Sequence, residues 1–367
     1  MPAVMGRRAL NRATLDRQLL LRRAALTPLG AITHLVGLQA QTPQTWYAGL
    51  WTRLVGFDPQ VVADLLVERR VVRIALMRST IHLVSAADAL ALRPLLASVG
   101  ERGFRSNFGR HLAGLDLDDV AAAGRAVLDE RPMIFSRLGR ELGRRWPDRD
   151  PASLAQAVRA YVPLVQVPPR GVWGSSGAAA HAPLESWVGE ELTGDYPVDD
   201  LVRRYLAAFG PASVRDAQVW SGLTRLREVL DRLRPELVVF RDDQGVELFD
   251  LPHASRPGPD VPAPARYLYD FDNLLLSHAD RSRVVTEAYR AQNFDPNGTM
   301  PRLILVDGFT AGTWTADVTR AAAVLTVRPF GKLSTGDTDA LASEGEGLLA
   351  FLAPSAAARD IRFQRPA

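Results

Sequence analysis

The sequence predicts an α+β protein made of three tandem winged-helix units and a C-terminal β-rich domain. Along the chain, helix-type spacing of apolar residues gives way three times to two short strand-like runs separated by a turn. Segments 174–182 and 253–264 are rich in Gly, Ala or Pro, which is typical of linkers. We therefore place the units at residues 1–100, 101–182 and 183–255, and the β-rich domain at residues 265–367.

The first unit opens with a run of helices. Asp58-Pro59 is its strongest start signal, because aspartate caps a helix and proline suits the first helical turn. The predicted helices lie at residues 14–24, from Pro28 onward, at residues 45–54 and from Asp58 onward. The β-branched run 71–74 and its partner 80–84 flank a short turn, and this pattern predicts the two strands of a wing.

The second and third units repeat the order of the first. In the second unit, Ser136 is the predicted cap of one helix and Asp150-Pro151 begins another. The predicted helices lie at residues 116–128, 138–146, 150–161, 198–209, from Ser213 onward and at 223–233. The predicted strands lie at residues 164–167, 172–173, 237–240 and 246–249. In the last domain, runs 303–306 and 323–327 predict strands, and a helix is predicted near residues 343–352.

Two absences in the composition limit the chemistry. The chain of 367 residues has no cysteine, which excludes disulfides, thiolate nucleophiles and iron–sulfur clusters. Lys332 is the only lysine among 44 basic side chains, so any lysine-dependent covalent step rests on that residue. The six histidines lack metal-ligand spacing, and His82 fits a strand of the core better than a metal site. We expect neither a metal nor a cofactor.

The chain also lacks the signatures of other common classes. It has no phosphate-binding loop ending in Gly-Lys-Ser/Thr, no His-Glu-x-x-His and no Gly-x-Ser-x-Gly. No apolar stretch approaches the roughly 20 residues of a membrane span, and the N-terminus lacks the pattern of a signal peptide. We therefore expect a cytoplasmic protein without membrane contact, and we expect a monomer.

Basic residues are concentrated near the N-terminus. The formal net charge of the whole chain is only +3, yet residues 1–53 contain seven arginines and the single acid Asp16. Such a cluster is expected of a phosphate-binding surface, but also of a solvated helix face. The sequence leaves both interpretations open.

Between two predicted helices of the first unit lies the segment Leu38-Gln39-Ala40-Gln41-Thr42-Pro43. From the residues alone, two loop glutamines most often serve in polar capping or solvation. Here, however, the sequence resembles the winged-helix DNA glycosylases typified by AlkZ, over nearly the whole chain. The resemblance rests on five segments that occur in order, at residues 37–41, 77–84, 166–174, 271–283 and 306–309.

The resemblance implies a function. In that family a glutamine–aliphatic–glutamine motif is catalytic, and the motif corresponds here to Gln39 and Gln41. A sister branch carries aspartate at the second position, so this chain resembles the glutamine branch, some of whose members act on bulky or crosslinking adducts. The implied activity is monofunctional hydrolysis of cationic N7- or N3-alkylated purines from double-stranded DNA.

The chemistry of the two side chains agrees with that activity. A neutral amide cannot act as a general base, but it donates through NH₂ and accepts through its carbonyl, so two amides can orient a water. That suffices only if the leaving group is already activated. A purine alkylated at N7 or N3 is cationic, and its departure removes that charge.

Other side chains are candidates for DNA contact. Arg73 and Arg78 in the first wing, and Arg281 and Arg283 in a later motif, are predicted phosphate contacts, with surface ion pairs as the alternative. Trp46, Trp51 and Trp173 are candidates for base stacking, with core packing as the alternative.

Two other classes of function stay open at this point. A winged-helix regulator or architectural protein would bind DNA without catalysis, since a fold alone does not decide function. A drug-sequestering protein would bind the free alkylating agent without DNA. Release of a base from damaged DNA distinguishes the glycosylase from both.

Overall fold

The computed structural model of the protein describes residues 2–292, 294 and 300–366, and it confirms the α+β class. The helices are α1 Arg7–Arg17, α2 Pro28–His34, α3 Thr45–Trp51, α4 Pro59–Val67, α5 Ala86–Leu95, α6 Ala97–Asn107, α7 Leu117–Glu130, α8 Phe135–Gly143, α9 Pro151–Tyr161, α10 Leu184–Val188, α11 Val198–Phe209, α12 Val214–Ser221, α13 Leu226–Leu233, α14 Glu287–Arg290 and α15 Thr335–Leu352. The strands are β1 Ala3–Val4, β2 Leu38–Gln39, β3 Val71–Ala75, β4 Ile81–Ser85, β5 Met133–Ile134, β6 Leu164–Gln166, β7 Ala180–Pro183, β8 Val238–Arg241, β9 Glu247–Asp250, β10 Arg266–Tyr267, β11 Leu303–Val306, β12 Phe309–Val318, β13 Ala322–Pro329 and β14 Ala358–Phe363. Among the described residues, no helix is both long enough and apolar enough to cross a membrane.

Several helices begin where their capping residues predict. The Asp58 side chain accepts a hydrogen bond from the Gln60 amide at the start of α4, and Asp150 does the same at the start of α9. Ser213 forms a reciprocal capping box with Asp216 at the start of α12. Each such cap contributes about 1 kcal/mol to helix stability.

Three local predictions are wrong. The first helix is α1, not 14–24, because the chain leaves the helix at Leu19, whose φ is +58°, while Leu20 stays buried outside it. Ser136 lies inside α8 rather than at its cap, since that helix follows directly after β5. The partner of β6 is β7, which lies partly in the predicted linker, and not residues 172–173.

The strand that pairs with β6 comes later in the sequence than predicted, because two prolines follow β6. Pro168 and Pro169 lack the amide hydrogens that a tight antiparallel return would need. The chain therefore forms a longer loop at residues 167–179, which we call the excursion, and it rejoins the sheet only at Ala180. Trp173 lies in this excursion. That excursion contributes to the site described below.

The same connectivity occurs three times. A helix is followed by a short strand, two further helices and two strands in α2-β2-α3-α4-β3-β4 and again in α7-β5-α8-α9-β6-β7. In α11-α12-α13-β8-β9 the short strand is reduced to a bridge between Ala212 and Phe249. The first two copies share one sheet in the order β2-β4-β3-β6-β7-β5, because β3 pairs antiparallel with β6 at Arg73 and Gln166.

The C-terminal part forms its own sheet in the order β10-β11-β12-β13-β14, with α15 packed on it. Gly308 lies in the turn between β11 and β12 with φ of +80°. A Cβ atom there would lie 2.5 Å from Asn11 Oδ1, so the turn seats α1 closely.

The N-terminal arginines hold the parts of the molecule together. Arg17 forms a buried ion pair of 2.7 Å with Asp250, and Arg8 and Arg12 both bind Asp307. The acids involved lie more than 200 residues away along the chain. Most of the charge of this basic cluster is therefore paired with acids of the same chain. The cluster mainly joins distant segments, and little of it is a solvated face or a surface for phosphates.

Candidate active site

Gln39 lies in β2, the edge strand of the six-stranded sheet, and Gln41 lies in the bend that follows this strand. Gln39 pairs with His82 across β2 and β4, and the Ala40 amide donates to the Ile81 carbonyl at 2.7 Å. Gly37 enters this edge with φ of +89°, and a Cβ atom there would lie 2.4 Å from Val84 Cγ1. The glycine thus allows the motif to approach β4 closely.

Asn273 fixes the backbone of this edge. The backbone N–H of Gln39 donates to Asn273 Oδ1 at 3.0 Å, and Asn273 Nδ2 donates to the backbone carbonyl of Gly37 at 2.7 Å. The next residue back, Asp272, forms a fully buried ion pair of 2.7 Å with Arg53 at the end of α3. In the sequence, residues 271–278 stand out only as part of a family landmark. The available signal was a run of polar residues, Asp272-Asn273, inside an apolar segment.

Arg78 fixes the Gln39 side chain. Arg78 Nη2 donates to Gln39 Oε1 at 2.7 Å, and Nη1 donates to the Trp220 carbonyl of α12 at 2.6 Å. The turn between β3 and β4 places the guanidinium there, with φ of +55° at Arg78 and +59° at Ser79. Because guanidinium only donates, the Gln39 oxygen faces Arg78 and its NH₂ group points elsewhere.

Burial lowers the pKa of Arg78 to about 10, with a further decrease from nearby Arg281. Arg78 therefore stays cationic at neutral pH. Both of its terminal nitrogens have protein acceptors, so its role here is to hold Gln39 rather than to present a charge to solvent. The Gln39 NH₂ group makes no hydrogen bond to any residue within the described ranges.

The phosphate-contact prediction is wrong for Arg73 in this conformation. Its side chain is fully buried, and Nη2 donates to the Ala40 carbonyl at 2.8 Å, directly beneath the motif. Burial and the neighbouring Arg170 lower the pKa of Arg73 to about 10. With no exposed surface, this guanidinium supports the motif from below.

The prediction is also wrong for Arg283. This side chain is buried, and Nη1 donates to the Pro211 carbonyl at 2.9 Å and to Thr14 Oγ1 at 3.2 Å. Burial lowers its pKa. Arg281, in contrast, is exposed and close enough to Arg78 to affect the pKa of that residue. Its predicted phosphate contact therefore stays a prediction.

The two glutamines differ in exposure. Gln39 is only 4% exposed, whereas Gln41 is exposed. Gln41 Oε1 lies 3.5 Å from the Ile81 amide, at the outer limit of a hydrogen bond, so this carbonyl is free to bind another donor. Among the residues that the structure describes, no carboxylate is hydrogen-bonded to either glutamine side chain.

His82 lies opposite Gln39 and stays neutral at physiological pH. Burial and the charge of Arg78 lower the pKa of His82 to about 3. Its Nδ1 lies 2.8 Å from the Thr80 carbonyl, which can only accept, so Nδ1 carries the proton. The sequence pattern favours a buried strand position for His82 over a metal site, and its 2% exposure agrees with that interpretation.

The tryptophans named as stacking candidates separate into two groups. Trp46 is fully buried, and Trp51 packs against Phe351, so both belong to the core. Trp173 is also half-buried and packs on Phe351, but in addition it borders a cavity of about 260 Å³ that we call the aromatic cavity. Its walls include Pro43, Thr45, Trp173, Tyr269, Arg302 and Trp314.

Comparison with known proteins identifies the family. The family model described as DNA glycosylase AlkZ-like matches residues 32–351. The solved structure of Streptomyces sahachiroi DNA glycosylase AlkZ is similar, with a TM-score of 0.78 and 19% identity. The similarity covers 99% of this chain and 100% of that one, and at this identity it shows the fold. The chain matches no curated protein sequence. The chain therefore belongs to the AlkZ-like family of DNA glycosylases, and its activity is that of a DNA glycosylase.

Proposed function

We propose that the protein is a monofunctional glycosylase that hydrolyses the N-glycosidic bond of cationic N7- or N3-alkylated purines in duplex DNA. Gln39 and Gln41 position the attacking water. The observation that carries this proposal is the hydrogen bond from Arg78 to Gln39, because it presets the orientation of one amide. A side chain held in one rotamer loses less entropy when it binds a reacting water.

The substrate supplies the activation that the glutamines lack. Alkylation at N7 or N3 places a positive charge on the purine, and cleavage of the glycosidic bond neutralises that charge. The bond is weakened before the enzyme acts, so positioning of water, worth several kcal/mol of barrier, is sufficient. An undamaged purine is a poor leaving group, and the site has no hydrogen-bonded carboxylate within the described residues to compensate.

The two amides have different roles in this proposal. The Gln39 carbonyl is engaged by Arg78, so its NH₂ group donates to the oxygen of the water. The weakly engaged Gln41 carbonyl accepts a hydrogen bond from the same water and directs an oxygen lone pair toward the sugar carbon. As the new C–O bond forms, the C–N bond breaks, its electron pair neutralises the purine, and the surplus water proton passes to solvent. One amide holds the oxygen and the other sets its orientation.

DNA binding in this proposal uses the repeated segments. We infer that the three copies of helix–strand–helix–helix–strand–strand connectivity are winged-helix units, at residues 1–100, 101–182 and 183–255, next to a C-terminal domain at 265–367. Exposed Arg281, close to Arg78, contacts a DNA phosphate beside the site. The protein acts as a cytoplasmic monomer, and bulky and crosslinking adducts are candidate substrates.

The direct test uses a DNA duplex with a single N7-methylguanine. We expect release of the free base and an alkali-labile site, which report base excision without strand cleavage. The variant with Gln39→Ala and Gln41→Ala should lose at least about 100-fold in rate while keeping its affinity for the duplex. Gln60→Ala changes a surface glutamine of α4 and is the matched control.

Two outcomes would contradict the proposal. Undiminished excision by the double variant would remove the glutamines from the mechanism. Absence of base release from every cationic purine, together with protection of one defined DNA sequence, would instead favour a DNA-binding regulator.

A further inference from the structure

The aromatic cavity lies next to the glutamine motif. Pro43 forms part of its wall and follows Gln41 by two residues, so their Cα atoms are at most about 7 Å apart. Gln44 ties this wall to the excursion that carries Trp173, because its Nε2 donates to the Val172 carbonyl at 3.0 Å. The motif and the cavity are therefore held by one continuous piece of structure.

The cavity walls come from three distant parts of the chain. Thr45 belongs to the start of α3, Trp173 to the excursion after β6, and Trp314 to β12. Trp314 is fixed by a hydrogen bond of 2.8 Å from its Nε1 to the Leu268 carbonyl. Arg302 lies over the Trp314 ring at 5.2 Å, and its Nε is 3.9 Å from Oδ1 of the buried Asp270, which offsets part of its charge.

Tyr269 contributes a nearly buried ring to the cavity wall. The residue is 1% exposed, and its hydroxyl has no hydrogen-bond partner among the residues that the structure describes. Helix α3 makes room for this ring at Gly49, where a Cβ atom would lie 2.5 Å from Tyr269 Cδ1.

We propose that the aromatic cavity binds a planar aromatic group of the damaged DNA. Two sources offer this chemistry, namely an unstacked base and an aromatic ring carried by the adduct. The half-buried Trp173 ring and the nearby Arg302 suit such a group, because stacking on an aromatic ring accepts any π-face. A volume of about 260 Å³ suits one small ring system rather than a larger ligand. This inference rests on the proposed function and assigns a binding site for its substrate.

The experiment measures binding, so that it does not depend on excision. The probes are duplexes with a 2′-fluoro sugar, which slows glycosidic cleavage, and they carry either N7-methylguanine or N7-benzylguanine. Unmodified duplex is the third probe. The variant Trp173→Leu removes a flat wall, and Thr45→Phe fills the cavity from its rim. Trp187→Leu, at another half-buried tryptophan, is the matched control.

We expect both cavity variants to weaken binding of a damaged duplex by about fivefold or more, without changing the Kd for unmodified duplex. Equal losses on both lesions would identify an unstacked base as the occupant. A loss confined to the benzyl lesion would identify the ring of the adduct.

The proposal is overturned if the cavity variants bind both lesions as Trp187→Leu does, or if they lose unmodified duplex equally. Since Thr45→Phe alters a different wall from Trp173→Leu, a local folding defect in one variant does not decide the result. If the protein excises the damaged base and the cavity variants bind damaged duplex as well as the control does, only this inference is contradicted. Cavity-dependent binding without base release would contradict the proposed function alone.

Discussion

Arg78 Nη2 and Gln39 Oε1 are joined by a hydrogen bond of 2.7 Å. The arginine comes from the turn between β3 and β4, and the glutamine from the edge strand β2. A charged donor on a neutral amide gives a stronger bond than a neutral donor would. The turn between β3 and β4 thus becomes part of the site instead of projecting from it.

We predict that Arg78→Met lowers the excision rate by about 100-fold with little change in the Kd for DNA, because the Gln39 amide loses its fixed orientation. Arg78→Lys should recover part of the rate, since an ammonium still donates to the same oxygen. Single-turnover excision and fluorescence anisotropy measure the two quantities.

Arg281→Met is the contrasting variant. If Arg281 contacts a phosphate, this variant binds DNA of every sequence more weakly. The slope of log K against the logarithm of the salt concentration then becomes shallower by about one. A similar loss of salt dependence in Arg78→Met would show that Arg78 contacts DNA after all.

Asn273→Ala should destabilise the protein and reduce activity together. The change leaves the backbone N–H of Gln39 and the backbone carbonyl of Gly37 without their buried partner. Each lost partner costs about 1–3 kcal/mol, so we expect the free energy of unfolding to fall by at least about 2 kcal/mol. Urea denaturation measures this, with exposed Asn107→Ala in α6 as control. A variant as stable as the control would show that β2 does not depend on this clamp.

Three buried histidines should make stability dependent on pH. Burial lowers the pKa of His82 and His278 to about 3 and that of His181 to about 4, below their usual value of 6.5. Because the unfolded chain binds these protons more readily, stability is full above about pH 6.5 and falls as the pH decreases toward 4.

The expected slope is up to about 1.4 kcal/mol per pH unit for each histidine. Urea denaturation at intervals between pH 7 and pH 5 measures it. His181→Gln should flatten the curve, whereas exposed His111→Asn should not. Constant stability over this range would show that these histidines titrate alike in both states.

We predict that borohydride does not trap a covalent complex between the protein and damaged DNA. A trapped Schiff base needs an amine, and the single lysine, Lys332, lies exposed after β13. Lys332→Ala should excise N7-methylguanine at the normal rate. A borohydride-trapped band that disappears in this variant would make the enzyme a lyase.

Local signals predicted much of the helical architecture. Asp58-Pro59 and Asp150-Pro151 gave the starts of α4 and α9, because a cap acts within one turn. The glutamine motif is recognised through a family resemblance, and the sequence alone does not place Gln39 on an edge strand. A two-residue strand has too few residues to show alternation.

The roles of the arginines could not be predicted. Arg73 and Arg283 have the same charge as Arg281, and only the packing of distant segments decides that the first two are buried. Asn273 binds β2 across more than 230 residues of sequence, and no local pattern encodes such a contact. The aromatic cavity likewise combines residues from three separate regions.

The pairing of β3 with β6 has a consequence for how DNA is read. In a free winged helix, the hairpin projects and can probe a groove. Here the β3-β4 hairpin is paired with the β6-β7 hairpin through Arg73 and Gln166. Arg78, at the tip of the first hairpin, donates to the Trp220 carbonyl. Neither of these two hairpins can project into a groove, so we expect both to contribute little to reading the sequence around a lesion.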